Sequence, residues 1–202
     1  PATGANALAV AEYVIGTVMV LLRGAYQSTG AVAAGKWPRS ALSGGREIGG
    51  KTLGLVGFGS IGQLTARLAQ GVGMHVVAYD AMMNGDHPAY AASSVRAADL
   101  DEVMTTADVI SLHVPLVDST RNLFDARRIA TMKKGAVLIN TARGGIVDEV
   151  ALAAALRSGA LGGAAIDVFD KEPVAAADHF KDCPNLLLTP HVAGLSAEAV
   201  AG

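Results

Sequence analysis

Cysteine is almost absent. Cys183 is the single one in 202 residues, which excludes an intrachain disulfide and a cysteine-rich metal site and sets the cytoplasm as the expected compartment. No histidine has ligand-like spacing to cysteine or to another histidine, so no metal is expected. Charge is scarce as well. Only 17% of residues are charged, the net charge is −2 and the pI is near 6.2; with no basic cluster, neither nucleic acid nor an anionic membrane is an expected partner. No apolar run reaches the roughly 20 residues of a membrane span. The longest candidate, residues 7–22, is interrupted by Glu12 and weakened by Gly16, which favours a buried or interface helix. A basic leader and a small-residue cleavage pattern are both missing, so no signal peptide is expected. There is no internal repeat or low-complexity segment. The chain also lacks an initiating methionine, opens at Pro1 almost directly into a helical pattern, and stops at Gly202 just after another begins at Ser196. A piece of a longer polypeptide is therefore expected.

What is abundant is apolar surface: 51% of residues are hydrophobic and the mean hydropathy is +0.37, enough for a substantial core. Asn6 is placed to N-cap a helix in which Leu8, Val10, Val14, Ile15, Val18, Leu21 and Leu22 make the surface apolar almost all round. That helix is expected to occupy residues 1–35, to end at Gly35-Lys-Trp-Pro, and to need cover on more than one side. Residues 39–50 are polar and glycine-rich, a surface connection. Between residues 50 and 195, short apolar strands (52–56, 75–79, 108–112, 136–139, 163–166, 185–188) alternate with helices (61–69, 99–106, 125–131, 148–158). The pattern predicts an α/β, doubly wound parallel sheet covered on both faces. Residues 82–94 carry no such pattern and read as a mobile stretch, and residues 196–202 as the start of a further helix. The whole, residues 1–202, reads as one domain.

The strand at 52–56 runs into Gly57-Phe-Gly-Ser-Ile-Gly, and a helix leaves it. Gly57, Gly59 and Gly62 in that context allow a tight turn, close backbone approach to a pyrophosphate and helix-on-strand packing, with the phosphates at the helix N-terminus beside Ser60 and Ile61. Asp80 closes the next strand, about 20 residues beyond the last glycine, where a carboxylate accepts hydrogen bonds from ribose hydroxyls. Residues 81–85 contain no arginine or lysine for a 2′-phosphate. NAD is the expected cofactor, rather than NADP.

Farther along, Asn140-Thr-Ala-Arg-Gly-Gly, Asp167-Val-Phe-Asp-Lys-Glu-Pro and Thr189-Pro-His-Val-Ala-Gly each place a capable side chain near a strand end: Arg143, Glu172 and His191. Arginine grips a carboxylate through a planar fork, histidine passes a proton near neutral pH, and an adjacent carboxylate favours the protonated imidazole. Taken singly, Arg143 is equally a surface ion-pair partner, Glu172 a loop carboxylate before Pro173, and His191 a satisfied histidine after Pro190. As an ordered trio behind a dinucleotide fingerprint they read as equipment for reducing a 2-oxo acid. His113 lacks a partner motif and is structural or cofactor-adjacent; His75, His87 and His179 read as ordinary surface or strand-end residues. Trp37 reads as a packing anchor or a subunit contact.

With Gly50-Lys-Thr-Leu-Gly-Leu-Val before the glycine loop, His113-Val-Pro-Leu and Met132-Lys-Lys-Gly-Ala, these motifs resemble the D-isomer-specific 2-hydroxyacid dehydrogenases over nearly the whole chain. The resemblance implies an oxidoreductase moving a hydride between NAD(H) and a D-2-hydroxy acid/2-oxo acid pair. In it, His191 is the acid/base, Glu172 its partner, and Arg143 the grip on the substrate's carboxylate and carbonyl. It further implies that Asp167 contacts the nicotinamide carboxamide, that Val114, Pro115, Thr141, Ala142, Arg143 and the segment from His191 to Gly194 line the cofactor, and that subunits dimerise through this domain. The apolar helix over residues 7–22 is the expected dimer interface. Relatives carry an N-terminal substrate domain facing the cleft, which is not visible in this sequence. An NAD-sensing transcriptional co-repressor shares the fold and the trio and stays open as an alternative; a formate dehydrogenase of the superfamily pairs its histidine with glutamine, where this chain has Glu172.

Overall fold

In the computed structural model, residue 4 and residues 6–201 are described; the outermost positions of the expected 1–35 and 196–202 helices lie outside them. Among the described residues, the strands are β1 (Thr52–Val56), β2 (His75–Tyr79), β3 (Arg96–Ala97), β4 (Val109–Leu112), β5 (Ala136–Asn140), β6 (Leu161–Ile166) and β7 (Leu186–Leu188). They form one sheet in the order β3-β2-β1-β4-β5-β6-β7, and every pairing is parallel. The helices are α1 (Ala7–Arg23), α2 (Thr29–Ala33), α3 (Ser60–Gly71), α4 (Pro88–Ala92), α5 (Leu100–Thr106), α6 (Ala126–Ile129), α7 (Glu149–Arg157) and α8 (Ala197–Ala201). Aspartates begin three of them: Asp99, Asp125 and Asp148 accept the N–H of Glu102, Arg128 and Ala151, satisfying donors that the helix leaves free.

Alternation along each strand sends side chains to two cores, one per face. Leu53, Leu55, Val137 and Ile139 meet α1 and α3 through Val14, Val18, Leu21, Ala66 and Ala69. On the other face, Ile110, Leu112 and Leu138 meet Val103 and Met104 of α5 and Leu152 and Leu156 of α7. Burying strands on both sides is what makes their sequences continuously apolar. No single helix among the described residues is long and apolar enough to cross a membrane.

Several expectations change. The helix expected over residues 1–35 stops at Arg23: Gly24 takes a left-handed conformation, φ 68°, its N–H bonds Val20 O, and the chain bends by 69° into a turn and α2. Beyond that point no apolar stripe continues. Asn6 does occupy the N-cap position, but its side chain makes no cap bond. The buried apolar residues of α1 are spent on this chain's own core, and the helix leaves mainly Leu8, Glu12, Gly16 and Met19 outward. Instead Tyr26, Val32 and Trp37 beyond Gly24 are exposed, Trp37 at 77%, so Trp37 anchors no packing within this chain. Lastly, residues 82–94 include α4, capped by His87 and anchored by buried Tyr90, whose ring lies 4.9 Å from that of Phe58.

Register positions the site. Val56 pairs with both Tyr79 and Leu112, Leu112 with Asn140, Asn140 with Ile166, and Ile166 with Leu188. The carboxyl ends of the strands therefore share one edge, and the next residues of each strand emerge there. The order reverses between β1 and β4, which opens a crevice at that edge, the usual ligand position of an open parallel sheet.

Candidate active site

The crevice is a cleft of about 330 Å³ between the glycine loop (Gly59, Ser60, Ile61, Gly62), the β4 end (His113, Val114, Pro115) and the β5 end (Thr141, Ala142, Arg143). Gly57 has φ +100°, and a Cβ there would collide with His113 O, so only glycine lets the loop turn against β4. Gly59 is different: a Cβ there meets nothing within 4 Å. It lines the open side of the cleft. Asp80 Oδ2 accepts Phe58 N–H at 2.7 Å and Oδ1 accepts Met82 N–H at 2.8 Å, tying the glycine loop to the end of β2. Each carboxylate oxygen retains a further lone pair for a ribose hydroxyl.

Thr141 Oγ1 is buried and has no hydrogen-bond partner among the described residues. An orphaned hydroxyl at a cleft wall fits a polar group supplied by a ligand. His113 lies in the same wall, its Nε2 2.9 Å from Ser111 Oγ, and burial lowers its pKa to about 4. A neutral ring therefore faces the cleft at physiological pH, which fits the cofactor-adjacent reading. Together the glycine loop, Asp80 and the orphan hydroxyl fit a dinucleotide.

Toward β6 and β7, His191 and Glu172 meet: Nδ1 and Oε2 are 2.6 Å apart. Glu172 Oε1 also accepts Phe169 N–H at 2.9 Å. The His191 hydrogen bond, then the Phe169 N–H, hold the Glu172 carboxyl below the usual carboxylate range. With Nδ1 donating to the carboxylate, Nε2 is left without a hydrogen-bond partner among the described residues. His191 itself has φ +56°, a region that costs a non-glycine residue energy and clusters at functional sites. The chain holds it there through Asp167, which is fully buried: Oδ1 accepts Val192 N–H and the Thr189 hydroxyl, and Oδ2 accepts Ala193 N–H. Thr189 Oγ1 lies 2.6 Å from Tyr13 OH, linking the turn to α1, and burial raises the Tyr13 pKa. Asp167 is thus first a scaffold of the His191 turn. Gly194 ends the turn beside Asn6 at the start of α1.

Arg143 sits on a turn shaped by Asn140, whose Oδ1 accepts Ala142 N–H and whose Nδ2 donates to Arg143 O, both at 3.0 Å. The guanidinium is exposed and makes no ion pair among the described residues; Nη1 donates to Ala142 O. Sequence reasoning overlooked Asn140 and the scaffold work of Asp167 and Tyr13. Asn140 and Asp167 are polar residues at the ends of continuously apolar strands, which is the signal that was available for both. His179, expected at the surface without a role, lies 2.7 Å from Glu149 Oε2. Beyond the His191–Glu172 pair, Phe169, Pro173, Val174, Ala177, Leu188 and Pro190 line an apolar hollow of about 650 Å³. No group of three or more histidine, cysteine, aspartate or glutamate side chains suited to a metal occurs among the described residues.

The profile of the D-isomer specific 2-hydroxyacid dehydrogenase NAD binding domain matches residues 15–193. The chain belongs to this family. It is 52% identical over 199 residues to the (S)-sulfolactate dehydrogenase of Chromohalobacter salexigens, covering 98% of this chain and 64% of that protein. It is 44% identical over 198 residues to the D-3-phosphoglycerate dehydrogenase of Haemophilus influenzae, covering 96% and 47%. Among solved structures, the NAD-dependent formate dehydrogenase from Staphylococcus aureus in complex with NAD superposes with a TM-score of 0.87 at 36% identity, covering 98% of this chain and 58% of that one. The pyruvate reductase of Chlamydomonas reinhardtii gives 0.86 at 35%, covering 96% and 62%. The chain therefore spans less than two thirds of these relatives and is the NAD-binding domain of its family.

Proposed function

We propose that this domain serves an oxidoreductase that interconverts a D-2-hydroxy acid and a 2-oxo acid with NAD(H). The carrying observation is the 2.6 Å contact between Glu172 and His191, which leaves Nε2 free at the sheet edge that also carries the dinucleotide cleft and Arg143. The glycine loop and the N-terminus of α3 would hold the pyrophosphate, Asp80 the ribose, and Val114, Pro115, Thr141, Ala142 and the His191-to-Gly194 turn the remainder. Asp167 is fully buried and contributes by holding the His191 turn in place. Bound NADH supplies the hydride. Arg143 grips the substrate carboxylate and carbonyl through its planar fork. As charge grows on the carbonyl oxygen, protonated His191 gives up its Nε2 proton, and Glu172 stabilises the imidazolium beforehand. Oxidation of the alcohol runs the same proton back to neutral His191.

The test is NADH oxidation by the full-length protein over a panel of glyoxylate, hydroxypyruvate, phosphohydroxypyruvate, pyruvate, sulfopyruvate and bulkier 2-oxo acids. The 52% identity to a sulfolactate dehydrogenase puts sulfopyruvate first. His191→Ala is expected to lower turnover by roughly 10²–10⁴ with NADH binding retained. Full turnover in that variant overturns the assignment. NADH binding without turnover across the panel favours the co-repressor reading. A glutamine beside the histidine marks formate dehydrogenases, and Glu172 argues against that activity. The protein is further proposed to act in the cytoplasm as a homodimer, joined through the exposed arm carrying Tyr26, Val32 and Trp37 rather than through the apolar stripe of α1.

A further inference from the structure

Arg143 and the Glu172–His191 pair come from different β–α connections, and the proposed reaction needs them at a set spacing. The turn after β5 carries Arg143, and the loop after β6 carries Glu172. Their backbones touch: a Cβ on Gly144 would collide with Phe169 O and lie 2.7 Å from Asp170 N. Two carboxylates outside the trio then cross the gap in opposite directions. Asp170, on the Glu172 loop, accepts Gly145 N–H through Oδ1 at 2.8 Å. Glu149, the first residue of α7 and on the Arg143 side, accepts Asp170 N–H through Oε1 at 2.9 Å. The Glu149 side chain is 12% exposed, and its Oε2 is fixed 2.7 Å from His179 Nε2. His179 is anchored in turn, because Arg157 Nη2 donates to the backbone oxygens of His179 and Lys181. Meanwhile Glu172 closes its own loop on Phe169 N–H. The loop's shape is thus local, but its placement against Arg143 is imposed from outside.

We infer that Asp170 and Glu149 are positioning residues that clamp the Arg143 turn to the Glu172 loop and so set the spacing between the substrate grip and the acid/base pair. This rests on the function proposed above. A bidentate grip on the substrate carboxylate directs the carbonyl oxygen toward His191 only if the two connections move together. Misplacement by about 1 Å can cost on the order of a hundredfold in rate.

The test uses the full-length protein and the best 2-oxo acid from the panel. Asp170 is exposed, so Asp170→Ala is expected to fold. It should raise KM for the 2-oxo acid and lower kcat, for a combined loss of roughly ten- to hundredfold in kcat/KM. NADH affinity should stay within about twofold, since the nucleotide cleft is built elsewhere. Asp170→Asn keeps an oxygen acceptor for Gly145 N–H and should recover most of the loss. In a Glu172→Gln background the kcat part of the Asp170→Ala loss should shrink to less than about threefold, because the group it positions is already impaired. Glu149→Ala and Glu149→Gln should repeat the contrast between loss and recovery. Wild-type kcat and KM in Asp170→Ala overturn the clamp, and so does a kcat loss of equal size in the Glu172→Gln background. If the unsubstituted enzyme turns over no 2-oxo acid, the proposed function fails and the positioning role falls with it.

Discussion

Replacing Glu172 by glutamine strikes the acid/base pair at its contact. Glu172 Oε2 and His191 Nδ1 are 2.6 Å apart, and Oε1 holds Phe169 N–H at 2.9 Å. Glutamine has nearly the same shape and no charge, so the exchange keeps the packing and removes the charge-assisted part of the contact. Hydrogen bonds to charged groups contribute about 1.5–3 kcal/mol. The His191 and Glu172 side chains are 49% and 33% exposed, and water screens them. The lower part of that range, about 1.5–2 kcal/mol, corresponds to a loss of roughly ten- to thirtyfold in kcat/KM. The pH dependence has a definite sign. Because the Glu172 carboxyl is held low, by His191 first and Phe169 N–H second, the pair's contribution is complete above the ordinary carboxylate pKa as long as His191 carries its proton, and is lost as pH falls through the lower folded value. The full-length enzyme is therefore expected to keep its reductase kcat/KM through the ordinary carboxylate range and to lose it on an acid limb below. The Glu172→Gln variant should be slower throughout and lack that limb. Initial rates of NADH oxidation across pH, corrected for acid decay of NADH, measure both. An unchanged kcat/KM, or an acid limb that survives the exchange, refutes the pairing.

Two glycines of one loop should respond oppositely to alanine. Gly57→Ala meets His113 O head-on with φ +100°, so it should lower the midpoint of chemical unfolding, whereas Gly59→Ala should leave that midpoint unchanged and weaken NADH binding in a fluorescence titration. Equal effects of the two would refute the division between turn and ligand contact. Thr141→Val removes the orphaned hydroxyl; stability should hold or rise while NADH affinity falls roughly fivefold, the effect of about 1 kcal/mol for a neutral hydrogen bond. Stability lost with affinity unaltered would mean that the hydroxyl serves the fold. Trp37→Asp should shift a sedimenting dimer toward monomer, because it charges the most exposed aromatic of the arm. A dimer of unchanged strength would place the interface elsewhere.

Much of this protein was legible along the chain because the relevant physics is local. Short apolar runs between helical repeats imply strands buried on both faces, and the glycine loop between a strand and a helix implies a phosphate-binding turn. The trio Arg143, Glu172 and His191 was visible from side-chain chemistry at strand ends. Tertiary structure decided what depends on partners distant in sequence. The apolar face of α1 faces its own sheet because α3, β5 and β6 cover it, and no periodicity distinguishes that cover from a second subunit. Strand order brings Glu172 to His191, Asp167 to Val192 and Ala193, and Asp170 to Gly145. A carboxylate reads the same in sequence whether it meets solvent, a cofactor or a backbone N–H. Only the register of β5, β6 and β7 determines which donors lie within reach, and hence whether a carboxylate meets an imidazole, as Glu172 does, or backbone N–H groups alone, as Asp170 does.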